Sequence, residues 1–272
     1  MRRRFGQALR LGVARGAIAL LETRRWGGAP RALLAEYTLA PDALETVAGA
    51  QDALDKVLDG VSGWPLTIVL ADDLVRLWQV TPPQLGARLA DLEAAAAQRF
   101  ELLYGETAAS WSVRAAWDPV RPFLAAALPR ALLGAIEHGA AQRKLALREI
   151  VPHFVAEFNC HHAALKPDAW FGLVHDQVLT LGAIGANSNR TNDGVGIAAV
   201  RAAALPDGAD AAWLAEHIAR EALRLNLPAP QRLQLCGSVP PAWLGSSVSA
   251  LGSPAPAGWS CAALLAISGS AA

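Results

Sequence analysis

Residues 9–23 read Leu9-Arg10-Leu11-Gly12-Val13-Ala14-Arg15-Gly16-Ala17-Ile18-Ala19-Leu20-Leu21-Glu22-Thr23. Residues 169–181 read Ala169-Trp170-Phe171-Gly172-Leu173-Val174-His175-Asp176-Gln177-Val178-Leu179-Thr180-Leu181. Each stretch is two largely apolar runs joined by a short polar break. Short apolar runs bounded by turn residues read as strands with both faces buried. The first stretch therefore predicts a hairpin of strands 9–14 and 17–23, the second a hairpin of strands 169–174 and 178–184. The chain downstream of each hairpin matches too. The first hairpin leads to a strand at 32–39, a helix at 42–58 and a strand at 66–70. The second leads to a strand at 195–202, a helix at 210–225 and a strand at 232–236. A β-β-β-α-β unit thus occurs twice, which predicts an α/β protein of two similar halves.

Between the units lies extra chain. Residues 74–80 read as a strand. Pro82-Pro83 open a long helix in which Leu85, Leu89, Leu92, Ala96, Phe100 and Leu103 recur every three or four residues. Tyr104-Gly105 ends it, with glycine in its usual C-terminal role. Strands at 111–117 and 123–128, a helix at 129–142, a strand at 145–151 and a helix from Pro152 to about Leu165 come next. The block 82–151 reads as an insertion into the first half, without a counterpart in the second. The expected division is 1–164, 165–244, and a loosely held Ser/Ala/Gly/Pro-rich tail at 245–272. Within that tail, 259–267 has the composition of one short apolar element.

Composition narrows the function classes. With 53% hydrophobic and 18% charged residues, the chain has the material for a sizeable core and not the composition of a disordered one. Lys plus Arg and Asp plus Glu are each 24, so there is no basic surplus of the kind that general nucleic-acid binding requires. Local basic patches remain at Arg2-Arg3-Arg4 and Arg24-Arg25. Arg10 and Arg15 interrupt what would have to be an uncharged segment if Arg2-Arg3-Arg4-Phe5 began an export signal. No window offers the 18 or so consecutive apolar residues of a membrane span. Cys160, Cys236 and Cys261 are too few and too scattered for a disulfide framework, which fits a reducing compartment.

The run Leu66-Thr67-Ile68-Val69-Leu70-Ala71-Asp72-Asp73-Leu74-Val75-Arg76, then Arg99-Phe100, Tyr104-Gly105, Trp111 and Val113, then Ile150-Val151-Pro152 and Trp170, resembles the PilM-like and GspL-like proteins of type IV pilus and type II secretion assembly. With the duplicated units, the resemblance spans about residues 8–244. It implies the actin-like fold, in which two ribonuclease H-like halves face each other across a nucleotide cleft. It also implies a cytoplasmic protein at the inner face of the inner membrane. Its partner would be an assembly protein that presents a cytoplasmic tail. The partner-contact candidates are Arg76, Arg99, Phe100, Tyr104 and Trp111, in and beside the insertion; Arg76 and Arg99 stand first, because an Arg is costly to bury unpaired, and the alternative, above all for Phe100 and Trp111, is packing of the long helix onto the sheet beneath it.

The nucleotide elements of that family are altered here. Where its ATP-binding members have Gly-Ile-Asp-Ile-Gly, this chain has Gly12-Val13-Ala14-Arg15-Gly16. Ala14 offers no oxygen to a magnesium ion, and Arg15 places a cation beside it. The second phosphate turn falls on His175-Asp176 without its flanking glycine, although glycine is what lets backbone amides approach phosphate closely. The Gly-Gly of the adenosine end is Gly237-Ser238. These departures predict no catalytic residue and no ATP or magnesium cofactor, with weak nucleotide binding as the residual alternative.

Other chemistry finds little support. Cys160-His161-His162 with His175 and Asp176 has metal-ligand residue types, but consecutive helical residues point about 100° apart, so no metal is expected there. There is no Gly-x-Ser-x-Gly elbow and no Walker-type loop. The polar stretch 185–194 reads as a hairpin loop. Most of the nine tryptophans are expected in or beside the core; Trp243 and Trp259, in the poorly patterned tail, are the ones that could be exposed or dock on a surface, with packing against their own domain as the alternative. The reading is a catalytically inert actin-like scaffold. The alternatives are an active actin-like ATPase or small-molecule kinase, and a stand-alone structural or regulatory protein of the same fold.

Overall fold

The computed structural model describes residues 6–24, 32–84, 88–166, 169–186, 195–252 and 258–269. The elements in chain order are β1 (Gln7–Ala14), β2 (Ala17–Arg24), β3 (Ala32–Thr38), α1 (Val47–Val57), β4 (Pro65–Leu70), β5 (Arg76–Val80), α2 (Leu89–Tyr104), β6 (Trp111–Ala115), β7 (Phe123–Pro129), α3 (Arg130–Gln142), β8 (Ala146–Pro152), α4 (His153–His161), β9 (Ala169–His175), β10 (Val178–Ala186), β11 (Val195–Ala204), α5 (Ala211–Leu225), β12 (Arg232–Gly237), β13 (Val248–Ala250) and α6 (Cys261–Ile267). Both β-β-β-α-β units form as the hydrophobic pattern predicts. Arg2–Arg4, Arg25, the loop 187–194 and residues 253–257 of the tail lie outside the described residues.

The two halves are built alike. One sheet runs β3-β2-β1-β4-β8, the other β11-β10-β9-β12-β13. In each, the first three strands are antiparallel and the last two run parallel to the hairpin's first strand: β4 pairs with β1 and β8 with β4, as β12 pairs with β9 and β13 with β12. β1 and β2 are buried on both faces, which explains their near-continuous apolar sequence. Leu9, Leu11, Val13, Ile18 and Leu20 join one core cluster with Leu54 and Val57 of α1 and Leu132 and Ile136 of α3. Ala19 and Leu21 point the other way, against Ala262, Ala263 and Ala266 of α6. Among the described residues, no helix is long and apolar enough to cross a membrane.

Two expectations are corrected. The described parts of the tail, 245–252 and 258–269, are not loosely held. β13 pairs in parallel with β12 and occupies in the second sheet the place of β8 in the first. α6 packs across the first sheet, with Ala262, Ala263, Leu265 and Ala266 fully buried. A three-residue strand and a seven-residue alanine-rich helix are too short to show periodicity. Nor is Trp243 exposed: it is buried, its Nε1–H donates to the Ala209 carbonyl at 2.9 Å, and its ring stacks on Trp213. Trp259 is half-buried and docks beside α6.

The insertion is also redrawn. Its separate three-stranded sheet, β5-β7-β6, begins at Arg76 and ends at Pro129. α3 packs on α1, and β8 pairs with β4, so both belong to the first half. The expected helix from Pro82 is α2 from Leu89; residues 85–87 lie outside the described ones. With Trp78, Phe100 and Trp111, this unit has its own aromatic core.

Candidate functional site at the carboxyl ends of the sheets

In α/β folds, ligands bind beyond the carboxyl ends of the strands. The turns flagged by the sequence all lie there. Arg15-Gly16 follows β1, Asp72-Asp73 follows β4, Asp176-Gln177 follows β9, and Gly237 ends β12. Ala14, Arg15, Ala71, Asp72 and Asp73 from the first half and His175, Asp176 and Val178 from the second line one small cavity. The two hairpin turns therefore face each other, as the resemblance to the actin-like fold implies. The cavity between them is about 20 Å³, roughly the space of one water. It adjoins a larger groove of about 490 Å³ that carries Asp72, Asp73, Arg76, Glu106 and Arg201.

The charged groups of the cleft hold one another. The Arg15 guanidinium donates to Glu45 at 2.7 Å and to Asp73 at 3.3 Å, so it ties the turn where a metal-linked carboxylate would stand. Asp176 adopts φ 54°, a left-handed value that Asp tolerates better than most residues. Asp72, quoted for the resemblance but not flagged as a site residue, is the buried centre. Its carboxylate accepts the Phe154 N–H at 3.0 Å and the Thr180 hydroxyl at 2.8 Å, which joins β4, the start of α4 and β10 of the other half. Burial pushes its pKa up to about 7, against the lowering effect of these two hydrogen bonds. A two-residue Asp-Asp run after a strand carries no local sign of this role; its partners lie 82 and 108 residues away.

Next to it, His153 and His175 meet edge to face with ring centroids 4.7 Å apart. His153 Nε2 shares a 2.7 Å hydrogen bond with the Ser268 hydroxyl, while His153 Nδ1 and His175 Nε2 are buried without a hydrogen-bond partner. Burial lowers the pKa of both, His153 the more strongly, so both rings are neutral at pH 7.

Two of the three glycines read as nucleotide remnants, Gly12 and Gly237, have structural reasons. A Cβ on Gly12 would stand 2.1 Å from the Ala262 carbonyl oxygen, so this glycine admits α6. A Cβ on Gly237 would stand 2.1 Å from the Val174 carbonyl oxygen, with φ at 85°. Its neighbour Ser238 donates its N–H to that same carbonyl at 2.8 Å. Gly16 meets nothing within 4 Å.

Most of the partner-contact candidates are placed differently from the expectation. Phe100 and Trp111 are core residues of the inserted unit, not surface contacts. Tyr104 donates its hydroxyl to the Leu77 carbonyl at 2.8 Å. Arg76 lies against the Tyr104 and Trp111 rings, at 5.5 and 5.1 Å from their centroids, and pairs with Glu106 at 3.2 Å. These contacts bury the Arg stem, so reversing its charge would lower stability rather than leave it unchanged. Arg99 is exposed and lines a groove of about 570 Å³ between α2, β5 and β11. The Cys160–His162 cluster does not converge with His175: His161 instead reaches Glu157 at 3.2 Å.

No protein-family profile and no curated protein sequence matches the chain. Solved structures do. The cytoplasmic domain of EpsL, an inner membrane component of the type II secretion system of Vibrio cholerae, aligns over 95% of this chain and 92% of its own, with a TM-score of 0.52 at 13% identity. A Bacteroides thetaiotaomicron protein with an actin-like ATPase fold and unknown function aligns over 86% and 83%, with a TM-score of 0.55 at 9% identity. A chain of the PilM–PilN type IV pilus biogenesis complex aligns over 85% and 81%, with a TM-score of 0.50 at 15% identity. Likeness at such identities is likeness of fold. The duplicated sheets, the facing turns and these neighbours together establish that the chain has the actin-like fold, in a form similar to PilM and the EpsL cytoplasmic domain.

Proposed function

We propose that this chain is a catalytically inert actin-like scaffold. It would act at the cytoplasmic face of the inner membrane, where it captures an extended cytoplasmic segment of a membrane-anchored assembly protein. The observation that carries this reading is a groove of about 320 Å³ between the inserted sheet and the first half. Its walls include β6 and β8, each the outer strand of its sheet. Outer strands present unpaired backbone groups, which an added strand satisfies. Leu128, Leu133, Leu147 and Ile150 supply apolar surface, and Arg114, Glu137, Arg148 and Glu149 supply charges of both signs. That combination suits an extended peptide with alternating apolar and charged side chains. The PilM–PilN complex and the inner-membrane EpsL, as similar folds in such assemblies, lend support.

The test is a calorimetric titration with an extended synthetic peptide of alternating apolar and charged side chains, the kind of segment this groove would take. Leu133→Asp and Leu147→Asp, both at half-buried groove positions, are expected to weaken binding at least tenfold, about 1.4 kcal/mol. Arg99→Glu, in the other groove, is expected to leave it unchanged. If affinity survives both groove substitutions, the segment binds elsewhere and the reading fails.

One observation favours the ATPase reading. Asp73 and Asp176 stand on opposite walls of the small cavity. Against it, Ala14 supplies no ligand, Arg15 occupies Asp73, and between the turns themselves there is room for about one water. Purified protein is expected to show no magnesium-dependent ATP hydrolysis above background. Steady turnover that vanishes in Asp176→Ala would instead establish an enzyme.

A further inference from the structure

Glu157 and His161 lie one turn apart on α4 and so share a face. His161 Nε2 is 3.2 Å from Glu157 Oε2. From β12, 75 residues along the chain from His161, Cys236 brings its thiol to the same point. One ligand atom from each of the three falls within 4.8 Å of the other two. In a tetrahedral zinc site with bonds of about 2.0–2.3 Å, ligand atoms stand roughly 3.3–3.8 Å apart, so small side-chain rotations bring this trio to that geometry.

The surroundings hold two of the three side chains in place. Glu157 Oε1 accepts the Gly269 N–H at 3.0 Å, which orients the carboxylate and leaves its second oxygen toward His161. Gly252 lies against the His161 ring, where a Cβ would stand 3.1 Å from Cε1. Outer contacts of this sort fix ligand orientation in metal sites. Accessibility is graded as well. Cys236 is buried, while the Glu157 and His161 side chains are 14% and 17% exposed, so solvent reaches the outer two ligands and the sulfur forms the floor.

We propose that Glu157, His161 and Cys236 bind a divalent transition-metal ion, zinc(II), with a fourth position open to water. The donor set decides the class: one soft sulfur with imidazole and carboxylate suits zinc and disfavours magnesium or calcium, which take oxygen ligands. As the metal–sulfur bond forms, the Cys236 thiol proton leaves to solvent, and His161 and Glu157 each donate a lone pair. The ion would fasten α4, which connects the halves, to the last strand of the duplicated unit in the second half.

Metal-free full-length protein, titrated with cobalt(II), is expected to bind one equivalent. The signature is a thiolate-to-cobalt charge-transfer band in the near ultraviolet with tetrahedral visible bands, displaced by zinc(II). Cys236→Ser should abolish the charge-transfer band. His161→Gln and Glu157→Gln should weaken affinity at least tenfold, and Cys160→Ser and Cys261→Ser should retain the signal. Because Cys236 is buried, the two partly exposed positions keep the test decisive if Cys236→Ser does not fold. Zinc should raise the melting temperature of the wild type and not of the His161→Gln protein. Absence of stoichiometric cobalt binding, a band that survives Cys236→Ser, or one that depends on Cys160 overturns the proposal.

Discussion

Asp72→Asn is expected to stabilise the protein at pH 8 by about 4 kcal/mol and to do almost nothing at pH 4. In the folded state the carboxyl group is buried and its pKa is raised from 3.8 to about 7. A raised folded value means that its contribution is fully present below pH 3.8 and is lost as pH rises through about 7. With about 1.4 kcal/mol for each pH unit across that window, the cost of ionisation approaches about 4 kcal/mol. An asparagine keeps the geometry: its Oδ1 accepts the Phe154 N–H, and its amide donates to the Thr180 hydroxyl oxygen. His153 and His175 act in the opposite sense. Their folded values lie below 6.5, so the stability of their neutral forms is present above that value and is lost as pH falls below it. Comparing wild type with variant at each pH cancels the histidines. Urea unfolding from pH 4 to pH 8 is the measurement, and a stability difference that does not change with pH would show that Asp72 is ionised throughout.

Gly12→Ala is expected to cost about 3 kcal/mol or more, at the upper end of overpacking penalties. The added methyl would stand 2.1 Å from the Ala262 carbonyl oxygen and 2.7 Å from the Ala266 nitrogen, both backbone atoms of α6. No side-chain rotation relieves such a contact, so α6 must shift off the sheet. The control is Gly16→Ala, at the other glycine of the same remnant. Nothing lies within 4 Å of its Cβ position and its φ is not in the left-handed region, so the change should stay within about 0.5 kcal/mol. Denaturant unfolding of both variants distinguishes the two roles. If Gly12→Ala proves neutral, the close packing of α6 on β1 is wrong.

Both predictions arise where sequence and structure part company. Gly12 is legible as an unusual glycine, and its pattern assigns it to a vestigial phosphate turn. Its neighbour in space is a helix some 250 residues later in the chain. Asp72 stands in plain view beside Asp73, yet what makes it unusual is Thr180 on the opposite half. Phe100 and Trp111 fit a helical and a strand pattern that marks a buried face, and burial is where they lie. Arg76 is a natural candidate for a free surface cation because an unpaired buried Arg is costly; the structure supplies Glu106 and two aromatic faces instead.

By itself, the sequence determined the two β-β-β-α-β units and their hairpins and showed that extra chain separates them; the facing of the two turns followed from the resemblance to the actin-like fold. Strand and helix periodicity are local properties, readable within windows of ten or so residues. The duplication then carried the local reading to the level of the fold. Only the tertiary structure decided that β13 completes the second sheet, that α6 covers the first, and that Asp72 meets Thr180 across the cleft. It alone brought Cys236 to Glu157 and His161. The reason is physical: a short alanine-rich helix or a lone buried carboxyl has no period, and its meaning comes from the surface that the rest of the chain presents to it.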